Sequence, residues 1–436
     1  QRATVGAAQA SRTAEPPQAP PLSRRSQLRA TLASTLDALG SGLIERDAEV
    51  RLMLLAAVCG EHLLLLGPPG VGKSELARRL AALGEGGYFE RQLTKFTLPE
   101  ELFGPLSVAA LQQDRLVRKT EGYLPSASVA FLDEIFKASS ATCNALLSIL
   151  NERLFEGEPV PLRCLVAASN EPPLEDELDA LWDRFLFRRS VAPVSEDAWS
   201  SLLAPGLGSC TPAAAAGASL PAPNELEQLH DDARAVTMCE GSTAVIFDAF
   251  RLARDQATAS GAPQPSDRRL VRLARALRIA AYADGRDAVG VHELLLLPYL
   301  LCARPEDVPP MEVMLEEKLS ELAEATDAAA YLQEGAFRQM WALALAHSPR
   351  WPDADAVPPP PTLDASAAEE AMRIAEDARS LIRALNEDAA ATCEGEGSLL
   401  PLLTQPSLWV SAESDERVRS ALSAATERRQ TRLRAM

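Results

Sequence analysis

Short apolar runs alternate with helical patterns through the first half of the chain. Each run spans five to seven residues and ends near Gly, Pro or charged residues, as buried strands of a parallel sheet do. Because helical segments separate most of the runs, their order predicts an α/β domain with a parallel sheet. The predicted strands are His62–Leu66, Tyr88–Thr94, Ser128–Leu132, Arg163–Ala168 and Phe185–Val191.

Helical periodicity fills the rest of the chain. A helical pattern covers about residues 26–60, with a break near Gly40–Gly42. A second helix is predicted over Lys73–Leu83, with Gly84 as its stop signal. Further helical patterns run from about residue 225 to 301 and continue towards the C-terminus.

These patterns divide the chain into five parts: a tail, an α/β domain, a low-complexity linker, a helical domain and an acidic C-terminal extension. Because the extension differs in charge from the core and contains a Pro-rich spacer, we expect that residues 311–436 can be removed while the core still folds. The predicted bounds are residues 1–27, 28–195, 196–224, 225–308 and 309–436, with the spacer at 352–361.

The charge of the chain is uneven. The formal net charge is −18, and residues 301–400 hold 20 Asp and Glu against 7 Lys and Arg. Since non-specific nucleic-acid binding depends on cations that neutralise phosphates, this balance argues against a nucleic-acid-binding protein. The longest apolar run, Leu294–Ala303, has about half the ~20 residues that a transmembrane helix needs, so no membrane span is predicted.

The tail and the cysteines bear on the compartment. Residues 1–30 contain five Arg, one Glu and no Asp, a composition typical either of a transit-peptide remnant or of a plain disordered tail. The seven cysteines are scattered and form no C-x-x-C pair, which indicates reduced thiols in a soluble intracellular protein. We expect the chloroplast or another organelle if the tail is a transit-peptide remnant, and the cytoplasm otherwise.

The strongest chemical signal follows the first predicted strand. The segment has the form G-x-x-x-x-G-K-S and lies between an apolar run and a helix, the context that a phosphate-binding loop requires. Its glycines let backbone N–H groups turn towards an anion, and the helix N-terminus adds its dipole. We predict that Lys73 contacts the β- and γ-phosphates of ATP and that the Ser74 hydroxyl binds Mg²⁺. The predicted nucleotide-binding residues of this loop are Gly67, Pro68, Pro69, Gly70, Val71, Gly72, Lys73 and Ser74.

Two more predicted strands end in polar residues. The third is followed by Asp133 and Glu134, and Asn170 comes shortly after the fourth. Because the carboxyl ends of parallel strands face the ligand in such sheets, Asp133 can hold Mg²⁺ and Glu134 can polarise the attacking water. Asn170 could hydrogen-bond the same water or the γ-phosphate. The alternative is a turn residue that caps the strand before Pro172.

These residues resemble the Walker A, Walker B and sensor-1 elements of AAA+ ATPases. Longer segments are similar to those of the MoxR family and, within it, of the RavA-type ATPases. The likeness covers about residues 35–303 and implies a P-loop parallel-sheet domain followed by an all-helical lid. The helical pattern after Pro309 predicts a helical C-terminal extension beyond them. The segments are GLIERDAEVRLMLLAAVCGEHLLLLGPPGVGKS from Gly42, PEELFGPLS from Pro99, EGYLPSASVAFLDEIFKA from Glu121, Leu165–Pro173 and LWDRFLFR from Leu181.

The resemblance implies roles for further residues near the nucleotide and in the ring. Leu43 and Ile44, after Gly42, would line the adenine pocket. Residues 104–124 would form a β-hairpin insert in helix 2 that points towards the pore of a ring.

Two arginine positions follow from the same resemblance. Arg184 would be an arginine finger that reaches the γ-phosphate of the neighbouring subunit, whereas the alternative is a surface ion pair with Asp183. In the lid, Arg268 would be the sensor-2 residue, with Arg269 as the second choice. The arginines that follow would extend a solvated face. They are Arg272, Arg275 and Arg278.

The function that the resemblance favours is an ATP-driven chaperone or remodeller of a partner protein. It would work as a homo-oligomeric ring, expected to be hexameric, with a von Willebrand factor A-type protein as its partner and with ATP and Mg²⁺ as cofactors. One alternative is a magnesium-chelatase-like motor subunit, and another is a nucleotide-gated scaffold without hydrolysis. A third is a nucleic-acid motor, which Arg115, Arg118 and Lys119 in the insert support.

Overall fold

A parallel sheet organises the first half of the molecule. The computed structural model describes residues 22–173, 178–203, 218–319, 321 and 407–410. In these ranges five strands form the parallel sheet, and two short strands form a separate antiparallel ribbon. The strands are β1 (Leu63–Leu66), β2 (Gly87–Gln92), β3 (Ala127–Asp133), β4 (Leu154–Phe155), β5 (Glu158–Pro159), β6 (Cys164–Ser169) and β7 (Phe187–Ser190).

The order of strands across the sheet is β2-β3-β6-β1-β7, and every pair is parallel. β1 is therefore an internal strand, flanked by β6 and β7. The five strands predicted from apolar runs are confirmed, each to within two residues at either end. The prediction succeeded because a strand covered on both faces is apolar throughout, as the four buried leucines of β1 are.

Helices surround the sheet and build the second half of the molecule. The break predicted near Gly40–Gly42 separates the first two helices, and the predicted helix from Lys73 is the third. Residues 308–319 are also helical. No helix within the described ranges is long and apolar enough to cross a bilayer. The helices are α1 (Leu22–Gly40), α2 (Asp47–Cys59), α3 (Lys73–Ala82), α4 (Pro99–Phe103), α5 (Val108–Leu111), α6 (Ser140–Glu152), α7 (Asp179–Arg184), α8 (Trp199–Leu202), α9 (Pro223–Asp232), α10 (Glu240–Ser260), α11 (Asp267–Ala283), α12 (Val291–Leu294) and α13 (Leu297–Leu301).

Alternate side chains of the strands enter two different cores. Leu63 and Leu65 of β1 join a first core with α2, α3 and the helices from α9 onwards. Leu64 and Leu66 join a second core with α4, α6 and α7 on the opposite face. The division follows from the two-residue period of a strand. Consequently the second, helical half shares its core with one face of the sheet.

The first helix crosses a predicted boundary. α1 begins at Leu22, inside the predicted tail of residues 1–27. Arg25 explains part of this shift, because its buried side chain pairs with Asp287 and its guanidinium lies 4.6 Å from the centroid of the Tyr282 ring. The remainder of the predicted tail or transit-peptide remnant, residues 1–21, lies outside the described residues.

The predicted linker, residues 196–224, is structured at both ends. It starts with a helical turn and α8. Near its end, Leu220 is buried, and its N–H donates to the carbonyl of Leu83 (2.9 Å). α9 then begins at Pro223, two residues before the predicted start of the helical domain. The Ala/Pro-rich centre, residues 204–217, is outside the described ranges.

Parts of residues 311–436, which were expected to be removable while the core still folds, pack into that core. Met311, Leu315 and Leu319 follow one face of the helical residues 308–319 and are buried in the first core. Residues 407–410 are also buried. Removing these side chains would expose apolar surface on both partners, so parts of the acidic extension belong to the core. The Pro-rich spacer lies outside the described residues.

Candidate active site

Three strands of the sheet bring polar residues to one edge. β6 lies between β1 and β3, and all three run in the same direction. The phosphate-binding loop follows Leu66 of β1, Asp133 and Glu134 stand at the end of β3, and Asn170 follows β6. In the register of the sheet, Leu66 is level with Ser169. The loop and Asn170 therefore start side by side.

The first glycine of the loop is required by a close contact. Gly67 has a φ of 152°, and a Cβ at this residue would lie 2.3 Å from the carbonyl oxygen of Val191. Gly72, with a φ of 87°, has open space beside it and is the N-cap of α3. The first helical turn, with its free N–H groups, thus begins inside an exposed loop, as an anion site requires.

Lys73 lies at the centre of this edge with its side chain largely buried. Its Nζ donates to the carbonyl oxygen of Gly67 (2.5 Å) and lies 3.3 Å from Oδ1 of Asn170. Burial lowers the pKa of the Lys73 ammonium, and the carboxylates of Asp133 and Glu134 act in the opposite direction. A cation held here by backbone and amide oxygens is suited to contact a polyphosphate.

Glu134 has an unusual backbone conformation and a fixed side chain. Its φ is 55°, in the left-handed region, and only 7% of the residue is exposed. Its Oε1 accepts a hydrogen bond from Nδ2 of Asn170 (2.7 Å) and lies 3.3 Å from Nζ of Lys137. The Asn170 amide therefore joins Lys73 to Glu134. Non-glycine residues held at positive φ are concentrated at functional sites.

Ser74 and Asp133 fit the requirements of Mg²⁺. Ser74 is the second residue of α3, and Asp133 is the last residue of β3. Oδ1 of Asp133 accepts the N–H of Glu134 (3.0 Å), whereas Oδ2 accepts no hydrogen bond from the described residues. Protein-bound Mg²⁺ takes one or two such oxygens together with phosphate oxygens and water. These side chains are therefore the ones that would hold the ion.

The predicted adenine segment lies beside the phosphate-binding loop because of Arg46. This residue is buried, and its guanidinium donates to the carbonyl of Val71 in the loop (3.1 Å) and to that of Ala192 (2.8 Å). It follows Leu43 and Ile44 in the turn before α2. Arg46 is not among the residues predicted from the sequence, because its acidic neighbours suggest a solvated turn. Its position inside a family-like segment was the only signal.

Arg184 stands at the C-terminus of α7, half-buried. Its Nε is a buried donor with no hydrogen-bond partner among the described residues. Burial and the neighbouring Arg268 lower the pKa of Arg184, while Asp183 acts in the opposite direction. Asp183 itself contacts other groups, since its Oδ1 lies 3.9 Å from Arg269 and its Oδ2 accepts the Ser266 hydroxyl (3.2 Å).

Helix α11 holds the backbone on which Arg184 is carried. Arg272 donates to the carbonyls of Asp183 (3.1 Å) and Arg184 (2.8 Å), and its guanidinium forms an ion pair with Glu61. Arg272 was expected to lie on a solvated face. The expectation was wrong because helical periodicity shows which residues share a face but not which carbonyl groups that face meets.

Arg269, the second choice for sensor 2, has a structural role instead. It is fully buried, and its guanidinium donates to the carbonyls of Phe185 (3.0 Å), Leu186 (2.6 Å) and Leu300 (2.7 Å). Burial lowers the pKa of Arg269 to about 10, which leaves the group charged at neutral pH. Arg268 is exposed at the start of the same helix, and its sensor-2 role stays a prediction.

Replacing Arg269 by Ala should lower the free energy of unfolding by about 3 kcal/mol or more, because several buried carbonyl groups would lose their donors. Arg268→Ala is the matched control, and it should change the free energy by less than about 0.5 kcal/mol since that side chain is exposed. Urea unfolding of the two variants measures the difference. Equal losses would contradict the buried role of Arg269.

The insert at residues 104–124 differs from the predicted β-hairpin. A single antiparallel bridge between Leu106 and Arg118 closes the segment within the described chain. Beyond this bridge the chain enters α5, whose N-cap is Ser107 with its hydroxyl accepting the N–H of Ala110 (3.4 Å). The capped helix takes the place where a hairpin would continue its ladder.

The cations of the insert give little support to a nucleic-acid motor. Arg118 lies 3.1 Å from the carboxylate of Glu156 and donates to the carbonyl of Gly104 (3.0 Å). Arg115 donates to the side chain of Gln113 (2.5 Å). Since these groups contact other parts of the chain, two of the three cations that favoured this alternative already have partners.

Comparison with known proteins gives two family matches. Residues 30–231 match the family described as the MoxR domain in the MoxR-vWA-beta-propeller ternary systems. Residues 249–315 match the family described as the AAA lid domain. The matches cover the sheet domain and most of the helical domain, in that order.

Curated relatives are similar to part of the chain. Two uncharacterized proteins of Methanocaldococcus jannaschii are similar to this chain. MJ0079 is 49% identical over 171 residues, 38% of this chain and 45% of the relative. MJ0812 is 52% identical over 158 residues, 35% and 42% of the two chains. Chaperone MoxR1 of Mycobacterium tuberculosis is 32% identical over 158 residues, 34% and 41%. The match thus spans less than half the length of each relative.

A solved structure shows the fold. A crystal structure from Cytophaga hutchinsonii, of a protein provisionally described as an ATPase, matches with a TM-score of 0.52 at 18% identity. The match covers 67% of this chain and 96% of that one. Together with the lid match, it confirms the predicted α/β AAA+ fold with a helical lid, and helical residues 308–319 begin the C-terminal extension.

Proposed function

We propose that residues 30–231 and 249–315, which match a MoxR-domain family and an AAA lid family, form a MoxR-type AAA+ ATPase module that binds ATP with Mg²⁺ and hydrolyses the nucleotide. The observation that carries this proposal is the hydrogen-bonded connection from Lys73 through Asn170 to Glu134. The Asn170 amide contacts Lys73, the cation proposed to bind the phosphates, through Oδ1. It contacts Glu134, the carboxylate proposed to activate the water, through Nδ2.

Each side chain of this connection has a distinct task. Lys73 would contact the β- and γ-phosphates and stabilise the charge that develops during transfer. Glu134 would accept a proton from the attacking water, and Asn170 would keep the Glu134 carboxylate oriented. The Mg²⁺ held by Ser74 and Asp133 would neutralise charge on the phosphate oxygens.

Arg184 would complete the site of a neighbouring copy of the chain. Its buried Nε lacks a partner among the described residues, and its backbone is fixed by α11, so the side chain is placed but not used within its own subunit. We therefore propose a homo-oligomeric ring, a hexamer in the simplest case, in which hydrolysis requires the interface. Arg268 is proposed as the sensor-2 residue of the lid.

The work done by hydrolysis would be the remodelling of a partner protein. The matched family takes its description from systems that contain a vWA protein and a β-propeller protein, and one relative is named a chaperone. We propose a von Willebrand factor A-type protein as the partner. The RavA-type subgroup is supported by the sequence segments alone and is part of the proposal.

Hydrolysis should depend on protein concentration. If Arg184 acts across an interface, the specific ATPase activity should rise with concentration and fall on dilution, because association supplies the missing cation. Phosphate release is measured over a wide range of protein concentration, and sedimentation velocity gives the oligomeric state at the same concentrations. Lys73→Ala is the inactive control. Full activity in a monomer would contradict the ring, and a wild-type chain that never hydrolyses ATP would contradict the ATPase itself.

A further inference from the structure

A short piece of the C-terminal extension is bound in a groove between the two halves of the molecule. Ser407, Leu408, Trp409 and Val410 are all buried. Their hydrogen bonds reach Arg51 on α2 of the sheet domain and Ala280 and Asp284 at the end of α11 in the lid. α2 leads directly into β1 and the phosphate-binding loop, so this segment, here called the SLWV segment, bridges both halves.

The groove provides a hydrogen-bond acceptor for each of two particular side chains of the segment, Ser407 and Trp409. Oδ2 of Asp284 accepts the Ser407 hydroxyl (2.7 Å), and Oδ1 of the same carboxylate accepts the N–H of Leu408 (3.0 Å). The indole Nε1–H of Trp409 donates to the carbonyl of Ala280 (3.0 Å). A serine hydroxyl and an indole N–H are thus each matched by a fixed acceptor, which excludes most other side chains at those two positions.

A further contact closes the groove from the other domain. Nη1 of Arg51, on α2, donates to the carbonyl of Leu408 (2.5 Å). The side chains of Leu408, Trp409 and Val410 meanwhile join the first hydrophobic core. A buried Trp with its N–H paired contributes large apolar area and a defined orientation, as anchor residues of peptide segments do.

The accepting carboxylate is held in place by its own surroundings. Asp284 is buried and lies 3.0 Å from Nη1 of Arg286, which also pairs with the buried Glu293. Nε of Arg29, on α1, lies 3.7 Å from Asp284. Because Arg29 and Arg286 contact the carboxylate independently of the segment, the acceptor is positioned by groups outside the segment that it binds.

We infer that this groove is a sequence-specific docking site for a peptide of the form Ser-Leu-Trp-Val, occupied by residues 407–410 of the same chain. The site anchors the acidic extension to the sheet domain and the lid at once. Since none of its hydrogen bonds involves the phosphate-binding loop or Arg184, binding at this site can be measured without ATP.

Peptide competition tests this inference without nucleotide. A fluorescent peptide with the sequence of residues 405–412 is titrated into the full chain and followed by anisotropy. The chain's own segment competes at an effective concentration of about 1 mM, as tethered segments do. The peptide should therefore bind Trp409→Ala at least about tenfold more tightly than wild type. Ser407→Ala, which loses only one hydroxyl, should shift binding in the same direction by less.

The receptor side is tested in the Trp409→Ala background. Asp284→Asn should weaken peptide binding by about tenfold, because a hydrogen bond to a charged acceptor is replaced by one to a neutral amide. Asp287→Asn is the matched control, since Asp287 pairs with Arg25 and contacts no part of the segment, and it should leave binding unchanged.

Several results would overturn the inference. They are equal binding of the peptide to wild type and to both segment variants, equal binding of a scrambled peptide, or equal effects of the two aspartate substitutions. If excess peptide converted an oligomer into smaller species, the segment would belong to a neighbouring copy, and the assignment to the same chain would be wrong.

Discussion

Glu134→Gln is expected to bind ATP as the wild type does and to lower the turnover number by about 10²–10⁴-fold, the range that a general base contributes. The amide oxygen of Gln can still accept the hydrogen bond from Nδ2 of Asn170, so the site should keep its shape. The amide cannot accept the proton of the attacking water. Steady-state phosphate release gives the turnover number, and binding of a fluorescent ATP analogue gives the affinity.

The control for this substitution is Glu171→Gln. Glu171 follows Asn170 at the same edge of the sheet, and its side chain is exposed. The control should keep wild-type turnover, which would separate the role of Glu134 from a general effect of charge at this edge. Wild-type turnover in Glu134→Gln itself would remove that residue from the mechanism.

Arg184→Ala is expected to retain ATP affinity and to lose turnover on the order of 10³-fold, as when an arginine finger is removed from other nucleotide hydrolases. The loss should be complemented by a second inactive variant. Mixing Arg184→Ala with Lys73→Ala should recover activity, because some interfaces then combine an intact phosphate-binding loop with an intact finger.

Arg251→Ala serves as the control for the arginine substitution. Arg251 is an exposed residue of α10 that pairs with Asp248 on the same helix, so its removal should leave turnover unchanged. Mixtures of the two inactive variants that recover no activity at any ratio would contradict a finger acting between subunits. Arg184→Ala with unchanged turnover would contradict any catalytic role for this residue.

The sheet and the phosphate-binding edge were predictable because their signals are local. A strand buried on both faces has a continuous apolar sequence, as β1 does. The loop after β1 has the G-x-x-x-x-G-K-S spacing of a phosphate-binding loop. Parallel strands also bring their carboxyl ends together, so the shared edge of Lys73, Glu134 and Asn170 follows from the order of the chain.

The arginines that donate to backbone carbonyl groups were not predictable, because their signals are not local. Arg46, Arg269 and Arg272 all donate to backbone carbonyl groups that lie far away in the sequence. A carbonyl acceptor is present at every residue and leaves no trace in the side-chain pattern. An Arg with such acceptors therefore looks, in sequence, like any other charged residue on a helix.

The docking of the SLWV segment was not predictable from the sequence either, because its partners are also distant along the chain. Its apolar residues indicate burial, but its partners Arg51 and Asp284 lie 357 and 124 residues away from Leu408 along the chain. The composition of the surrounding extension indicated a separable region, since acidic residues and prolines outnumber the few residues that dock. The contacts of these four residues with α2 and α11 connect the extension to the core, and the composition alone does not indicate them.

The hydrogen bonds from α11 to the backbone around Arg184 connect the lid of one subunit to the site proposed on its neighbour. The lid helix that begins beside the sensor-2 candidate, Arg268, is also the helix whose Arg269 and Arg272 fix the carbonyls of residues 183–186. If the lid tilted in response to its own nucleotide, we would expect it to displace Arg184, the residue proposed to serve the next site. In a closed ring of such subunits, each hydrolysis event would then affect only the neighbour on one side, so the coupling would be unidirectional around the ring.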